Sequence, residues 1–426
     1  MSPMFSEEFA ALRVLPGAPE GSVRLGGAKN SALRLLVASV LTSEPVVIRR
    51  FPADLLDVRI QVGMLERLGK RVTVSDSTAL VEEPAGLGSE LEWDGRSIRN
   101  TLLLLGALLG RFGEARVPLP GGCDLGARPF DLHERLIGRL GATMWVEGDR
   151  LCARHPDGRV RGGSFSSPIR STGVTENAIL LGASNAEGVE LHNPHLRPEV
   201  LDLLSLVESL GAEVSVDGAH SLRVRGPKEL GFGSQEVIPD RDEAVTWAAA
   251  AIIGRGRIRI DDFPVNETRV AREYLSHAGA ELYVGDGAII VESRGPQPFD
   301  LQVGSHPGVH SDMNPLFGAI AALASGRSEI RDARYPKRFG YLQELARLGL
   351  QASSRDGHAV IDGSGRIAGG TVRAVDLRGG MALILAAVGA DDAVTVHQAW
   401  HVLRGYSRFT EKLTALGIGW DVEDVG

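Results

Sequence analysis

One phrase recurs six times along this chain: an amphipathic helical stretch closing on Leu-Gly or Ala-Gly, followed by a short alternating segment. It reads Met64-Leu-Glu-Arg-Leu-Gly69, Leu136-Ile-Gly-Arg-Leu-Gly141, Leu206-Val-Glu-Ser-Leu-Gly211, Tyr274-Leu-Ser-His-Ala-Gly279, Leu345-Ala-Arg-Leu-Gly349 and Leu413-Thr-Ala-Leu-Gly417. The closing glycines are spaced by 72, 70, 68, 70 and 68 positions. A period of this kind marks a repeat architecture. Leucines three and four apart give each helix one apolar face. The glycine supplies the left-handed residue on which a helix stops. Segments such as Ala212-Glu-Val-Ser-Val and Ala280-Glu-Leu-Tyr-Val alternate as half-buried strands do.

A second, more uniformly apolar helix is expected within the units, at Ser31–Thr42, Asn100–Leu109, Glu176–Ala183 and Met381–Gly389. Helices apolar all round belong in a domain interior. Each unit therefore reads as a mixed α/β module with one buried and one surface helix, and six units divide into two domains of three. The competing reading is two unrelated α/β domains whose helices share an ending. At 426 residues the chain exceeds one ordinary core in either case.

The net charge of −8 argues against a general nucleic-acid partner. It leaves room for an anionic ligand held by a local arginine cluster. The longest apolar runs, Thr101–Gly110 and Val245–Gly254, fall short of the ~20 residues that a membrane helix needs. The first ten residues carry two glutamates and no basic stretch, unlike a secretory signal. The two cysteines, Cys123 and Cys152, form no disulfide framework and suit a reducing cytoplasm. Lysine is scarce, at positions 29, 70, 228, 337 and 412, which draws attention to Lys29 inside a glycine-rich motif.

Several motifs follow one another along the chain. They are Gly26-Gly-Ala-Lys29-Asn30-Ser-Ala-Leu33, Pro120-Gly-Gly-Cys123-Asp-Leu-Gly-Ala-Arg128-Pro129-Phe-Asp131-Leu132-His133, Ser171-Thr172-Gly173-Val-Thr-Glu, Arg197-Pro-Glu199, Ile238-Pro-Asp-Arg241, Ser311-Asp312-Met313, Lys337-Arg338-Phe339, Asp376-Leu-Arg378 and Arg404-Gly-Tyr406. In content and order they resemble the UDP-N-acetylglucosamine enolpyruvyl transferases. The Cys123 loop with its Arg-Pro-x-Asp-Leu-His tail is the most specific match; the others are individually weak.

The resemblance implies an EPSP synthase-like α/β fold: two inside-out α/β barrels, each of three βαβαββ-type repeats. Residues 28–236 would form the domain carrying the Cys loop. Residues 1–27 plus 237–426 would form the second, with the active site in the cleft between them. The implied reaction moves the enolpyruvyl group of phosphoenolpyruvate onto an alcohol and releases phosphate, with no cofactor and no metal. Its substrates are phosphoenolpyruvate and a uridine nucleotide; neither nucleic acid nor membrane is a partner, and the location is cytoplasmic.

Such chemistry needs cations for a carboxylate and a phosphate, a proton donor to C3, a base for the acceptor hydroxyl, and stabilisation of a tetrahedral ketal. Lys29 suits an anion; it also reads as a surface lysine at a helix start. Asn30 resembles the family residue that meets substrate hydroxyls, or it caps the helix from Ser31. Arg128 and Arg404 resemble the forks that hold phosphoenolpyruvate, with Arg99 and Arg378 as further members. Cys123, by the family precedent, protonates C3 and forms an adduct. Its alternative is a small filler in a turn, the reading we give to Cys152. Asp312 is either the base for the acceptor or the N-cap of a helix through Phe317–Ala324. Arg338 would hold the intermediate or help the domains close, and Asp376 is counted with the substrate-binding residues. Arg128, Pro129, Asp131 and Leu132 match the segment that packs on uracil. Ser171, Thr172 and Gly173 match the backbone that meets a diphosphate, where glycine permits close approach.

Some positions depart from the family pattern. Phe-Pro-Thr-Asp-Met-Gln is here Val309-His310-Ser311-Asp312-Met313-Asn314, and Phe-Glu-Asn-Arg-Phe is Tyr335-Pro336-Lys337-Arg338-Phe339. Leu403 stands where the family has aspartate before Arg-Gly-Tyr, and Arg34 stands where it has proline in Ala-Leu-Pro. These changes put the acceptor in question more than the reaction. Three readings remain: the fosfomycin-sensitive peptidoglycan enzyme acting on the 3-hydroxyl of UDP-N-acetylglucosamine; a relative acting on UMP or another uridine nucleotide in nucleoside-antibiotic synthesis; and an inactive nucleotide-binding paralogue. Joint retention of Lys29, Cys123, Arg128, Asp312 and Arg404 argues against the last. The Cys loop and uridine-type segment disfavour a shikimate-pathway enzyme.

Overall fold

All six closing glycines lie at positive φ, at 118°, 87°, 106°, 112°, 95° and 65° for Gly69, Gly141, Gly211, Gly279, Gly349 and Gly417, in a computed structural model that describes residues 11–121 and 130–423. The shared Leu-Gly phrase is thus a shared helix stop. At Gly279 a side chain would also be impossible for space, since a Cβ would lie 2.4 Å from the carbonyl oxygen of Gly295.

The repeats alternate buried and surface helices. Residues 27–121 and 130–238 form one compact unit. Its buried helices are α1 (Lys29–Ala38, continued by a 3-10 turn at Ser39–Leu41), α3 (Thr101–Phe112) and α5 (Thr172–Ala183). Its surface helices are α2 (Leu56–Leu68), α4 (Asp131–Arg139) and α6 (Pro198–Ser209). Residues 11–26 and 239–423 form the other unit. There α7 (Arg241–Gly254), α9 (Asn314–Leu323) and α11 (Leu377–Val388) are buried, whereas α8 (Arg269–His277), α10 (Gly340–Ala346) and α12 (Phe409–Ala415) show one apolar face. Every residue of α9 and α11 is buried, as their predominantly apolar sequences require, with Asn314 and Arg378 the polar exceptions near their starts. Each unit has its own hydrophobic core, around Leu36, Leu104 and Leu180 in the first and Trp247, Phe317 and Ile384 in the second.

One sheet accompanies each repeat. In a complete copy, Gly163–Ser166 pairs in parallel with Val189–His192 through α5, and the hairpin Glu213–Asp217 and Ser221–Arg225 adds antiparallel beyond it. This is the expected βαβαββ order, with parallel strands joined by a crossover helix. Asp300–Gln302, Ser325–Arg331, Gln351–Arg355 and His358–Ser364 repeat it.

Other copies borrow strands from distant sequence. Gly233–Glu236 pairs with Val46–Arg49 in the first repeat of its unit. Glu20–Arg24 pairs with Arg257–Asp261, and Ala11–Val14 lies between Val394–His397 and Trp420–Glu423. The sheet of Glu114–Pro118, Thr143–Glu147 and Arg150–Arg154 has three strands, with a single parallel bridge from Glu90 to Arg116 where a fourth would stand. No helix among the described residues is long and apolar enough to cross a membrane.

Candidate active site

The second unit gathers an ionic network at the starts of its buried helices. Asp240 caps α7, accepting from the backbone N–H of Asp242 at 2.8 Å and of Glu243 at 3.1 Å. Burial, and then the neighbouring Asp242 charge, push the Asp240 carboxyl above the usual carboxylate range. Asp242 is wholly enclosed. Arg378 donates to its Oδ2 at 2.6 Å and His310 Nε2 lies 2.8 Å from its Oδ1. Burial opposes its charge, but His310 and Arg378 overcome that and hold the carboxyl well below the usual range. Asp376 caps α11 by accepting from the N–H groups of Arg378 and Gly379. The Arg378 guanidinium also lies over the Tyr406 ring, 5.0 Å from its centroid.

Asp312 occupies the turn before α9. The cap position belongs to Met313, and no side chain caps that helix. The carboxylate of Asp312 instead takes an ion pair with Arg338, whose guanidinium lies 3.9 Å from Asp376 and over the ring of Tyr335. Its side chain is 30% exposed while that of Arg338 is 4% exposed, so a buried cation presents an accessible carboxylate. Asp332 organises the adjoining loops: it binds the hydroxyl of Ser311 and the amide of Asn314, and accepts from the N–H groups of Arg334 and Tyr335. Arg404, buried, ends the 3-10 segment Ala399–Arg404. Asp312, Arg338, Asp376 and Arg378 are thus brought together, joined by Asp242 and His310.

The ligand atoms of Asp242, His310 and Asp312 lie within 4.8 Å of one another, close enough to surround a metal ion. Arg378 and Arg338 already neutralise the two carboxylates, however. A divalent ion there would meet two fixed positive charges, so this donor set does not fit a resident metal.

In the first unit, Lys29 opens α1 and is buried rather than a surface residue, with Nζ 3.1 Å from Asp57 Oδ2. Helix α1 starts two residues before Ser31, and Ala28 holds its cap position; Asn30 is therefore inside the first turn and not its cap. The Asn30 Oδ1 accepts from Arg34, whose Nε donates to Glu176 at 2.7 Å. Burial raises the Glu176 carboxyl against the opposing charge of Arg34. Ser31 donates to Asp202, which also accepts from Ile238 N–H at 2.9 Å.

Arg99 precedes α3, and its charge acts on His133. Burial first, and Arg99 second, lower the His133 pKa to about 3. That ring is neutral, and its Nδ1 accepts from Asn177 Nδ2 at 2.7 Å, which leaves the proton on Nε2. A Cβ on Gly173 would lie 2.9 Å from that Nε2, so the helical glycine makes room for His133. Ser171 and Thr172 start α5, and Thr172 Oγ1 lies 2.8 Å from His195 Nδ1. Asp131, exposed, and Leu132, half-buried against the core, open α4. Cys123, Arg128 and Pro129 lie outside the described residues. Cys152 is buried in its strand, and burial raises its thiol pKa, which fits the filler reading.

Sequence reading missed Asp242, Asp332, Glu243 and Asp202. Asp242 and Glu243 sit in the first turn of α7 and look like ordinary first-turn acids, Asp202 lies within α6 and Asp332 in the turn after a strand, and nothing local distinguishes carboxylates that anchor arginines or backbone from afar. Glu243, for example, accepts from Trp247 and from Gly26 N–H, each at 2.9 Å, and pairs with Lys412.

Residues 16–413 match the family described as EPSP synthase (3-phosphoshikimate 1-carboxyvinyltransferase). The chain is 33% identical over 420 residues to the UDP-N-acetylglucosamine 1-carboxyvinyltransferase of Novosphingobium aromaticivorans, covering 95% of this chain and 96% of that one. It is 35% identical over 403 residues to the enzyme of the same name from Methylacidiphilum infernorum, covering 93% and 95%. Among solved structures it is similar to the enolpyruvyl transferase NikO from Streptomyces tendae, with TM-score 0.86, 26% identity and coverage of 96% and 98%. EPSP synthase from Acinetobacter baumannii, at 17% identity and TM-score 0.73, shares the fold.

Proposed function

The chain belongs to the EPSP synthase family of enolpyruvyl (carboxyvinyl) transferases, and on that premise we propose that it transfers the enolpyruvyl group of phosphoenolpyruvate to the 3-hydroxyl of UDP-N-acetylglucosamine. The observation that carries the acceptor is the near full-length identity to relatives bearing that activity in their names. The reaction would be the committed step of peptidoglycan synthesis, carried out in the cytoplasm without nucleic acid as a partner. Each unit carries part of the machinery.

Asp312 takes the acceptor proton as the hydroxyl oxygen attacks C2 of phosphoenolpyruvate. Arg338, buried behind it, fixes its carboxylate without consuming its exposed edge. Cys123 delivers a proton to C3, giving a tetrahedral ketal. Loss of that C3 proton and departure of phosphate then restore the double bond in the product. Lys29, Arg99, Arg128 and Arg404 hold the carboxylate and phosphate; Lys29 is pre-positioned by Asp57. Asn30 contacts the acceptor. The segment from Pro129 to Leu132 packs on uracil, and Ser171, Thr172 and Gly173 face the diphosphate with Thr172 steadied by His195. Arg378 and Asp376 support Arg338 and Asp312 within the second unit, Asp376 beside Arg338 and Arg378 through Asp242.

A second reading, transfer to the 3′-hydroxyl of UMP, draws on His310 and Leu403. His310 brings an imidazole to Asp242 where the family pattern has proline. Leu403 packs half-buried against the core where the pattern has a carboxylate.

Phosphate release from phosphoenolpyruvate, measured in parallel with UDP-N-acetylglucosamine and with UMP, decides between them. Turnover with the sugar nucleotide is expected; turnover with UMP alone would replace the first reading by the second, and turnover with neither would refute both. Fosfomycin is expected to alkylate Cys123. Labelling of Cys152 instead would remove Cys123 from the reaction.

A further inference from the structure

Helix α1 is buried at eight of its ten residues, and the two that reach the surface are Asn30 and Arg34. They stand one turn apart and therefore share a stripe. Arg34 Nη1 donates to Asn30 Oδ1 at 3.2 Å while its Nε donates to Glu176 at 2.7 Å. Glu176 is 2% exposed, so the guanidinium is anchored on a fixed carboxylate. A guanidinium offers only donors. The atom of Asn30 facing it must be the carbonyl oxygen, and the amide orientation is fixed by chemistry. The NH2 group is turned away from Arg34, and no described residue accepts from it.

We propose that Arg34 is a positioning residue that makes Asn30 a donor-only contact for the acceptor nucleotide. This rests on the reading that Asn30 meets the acceptor. An unrestrained asparagine can turn either its oxygen or its nitrogen to a ligand, and so serves donors and acceptors alike. Held by Arg34, it serves only a ligand oxygen with a lone pair to offer: a carbonyl, a phosphoryl oxygen, or a hydroxyl whose own proton points elsewhere. Proline, which the family pattern carries at this position, has no side-chain donor and cannot impose this choice. The selection is therefore a property of this chain, and it adds a specificity element on the first unit to the departures around Asp312.

The test is a double-mutant cycle read by phosphate release, using whichever of UDP-N-acetylglucosamine or UMP the wild type turns over. Arg34→Met is combined with Glu176→Gln, so that no buried carboxylate is left without its cation. The expected result is a rise in acceptor KM of about tenfold, the scale of one hydrogen bond, with phosphoenolpyruvate KM and kcat changed less than about twofold. Arg34→Lys, which keeps a donor, should recover part of the loss. Asn30→Ala should raise the acceptor KM by itself, and removing Arg34 in that background should add less than about twofold, because Arg34 acts through Asn30. Additive effects, an unchanged acceptor KM, or an equal rise in both KM values would overturn the proposal. Wild-type turnover with neither nucleotide would instead fail the underlying reading and take this inference with it.

Discussion

Asp202 should make the protein less stable as pH rises from 4 to 6, and replacing it by asparagine should remove that loss. The carboxylate is 5% exposed and has hydrogen bonds from Ser31, Ile238 N–H and Gln235 but no cationic partner among the described residues. Burial raises its pKa from 3.8 to about 6 against those three hydrogen bonds. For an acid the sign is as follows. Below 3.8 both folded and unfolded chains hold the proton and nothing differs. Between the two values the folded state retains a proton that the unfolded state has released, so stability falls with rising pH; above about 6 the full difference stands. At about 1.4 kcal/mol per pH unit, the rise corresponds to about 3 kcal/mol. Roughly one third of it is already present at pH 4.5, so the stability of Asp202→Asn relative to wild type should grow by about 2 kcal/mol between pH 4.5 and 7.5. Asparagine is the same size; with its carbonyl oxygen in the Oδ2 position it still accepts from Ser31 and Ile238 N–H, and the Gln235 amide can flip to accept from the new NH2. Urea unfolding of the full chain and of the variant at both pH values measures the difference, with all other carboxylates cancelling. A stability difference independent of pH, or one that shrinks at pH 7.5, would refute the reasoning: it would mean that the hydrogen bonds fully offset the desolvation.

Three further outcomes are expected. Arg378→Met leaves the enclosed Asp242 carboxylate without its closest cation and should cost about 3–5 kcal/mol in urea unfolding, while adding Asp242→Asn should restore much of that. Gly173→Ala forces a methyl group to within 2.9 Å of His133, which should cost about 1–3 kcal/mol by thermal unfolding; His133→Ala in the same chain should relieve it. Asp312→Asn should lower kcat by about 10²–10⁴-fold in steady-state phosphate release.

Much of the architecture was legible because the repeat is written in residue types with a mechanical meaning. Gly69, Gly141, Gly211, Gly279, Gly349 and Gly417 all take the left-handed conformation that their position after a leucine-rich helix implied. The buried helices were legible from uniform apolarity, although α1 begins at Lys29 rather than Ser31: a buried lysine at a helix start has no apolar signature, and its tolerance depends on Asp57, 28 positions away. Distant strand partners left no local trace either. Nothing in Glu20–Arg24 announces that its neighbour is Arg257–Asp261. Within the candidate site, Asp312 and Arg338 were recognised separately, but their pairing and the enclosure of Arg378 by Asp242 depend on three-dimensional charge compensation that spacing does not encode. The departures at Arg34 and His310 were visible as exceptions; only the structure gives them partners, Glu176 with Asn30 in one case and Asp242 in the other.

The borrowed strands set an order of events during synthesis. Ala11–Val14 emerges among the first residues described, yet both its neighbours, Val394–His397 and Trp420–Glu423, are made last. At roughly 5–20 residues per second, a ribosome needs on the order of 20–80 s to complete them. Residues 27–238, whose sheets close with Gly233–Glu236, can finish folding in that interval while the leading segment waits as an unpaired strand. Its early exposure is the period in which a chaperone, or a second nascent chain, has the opportunity to pair with it first.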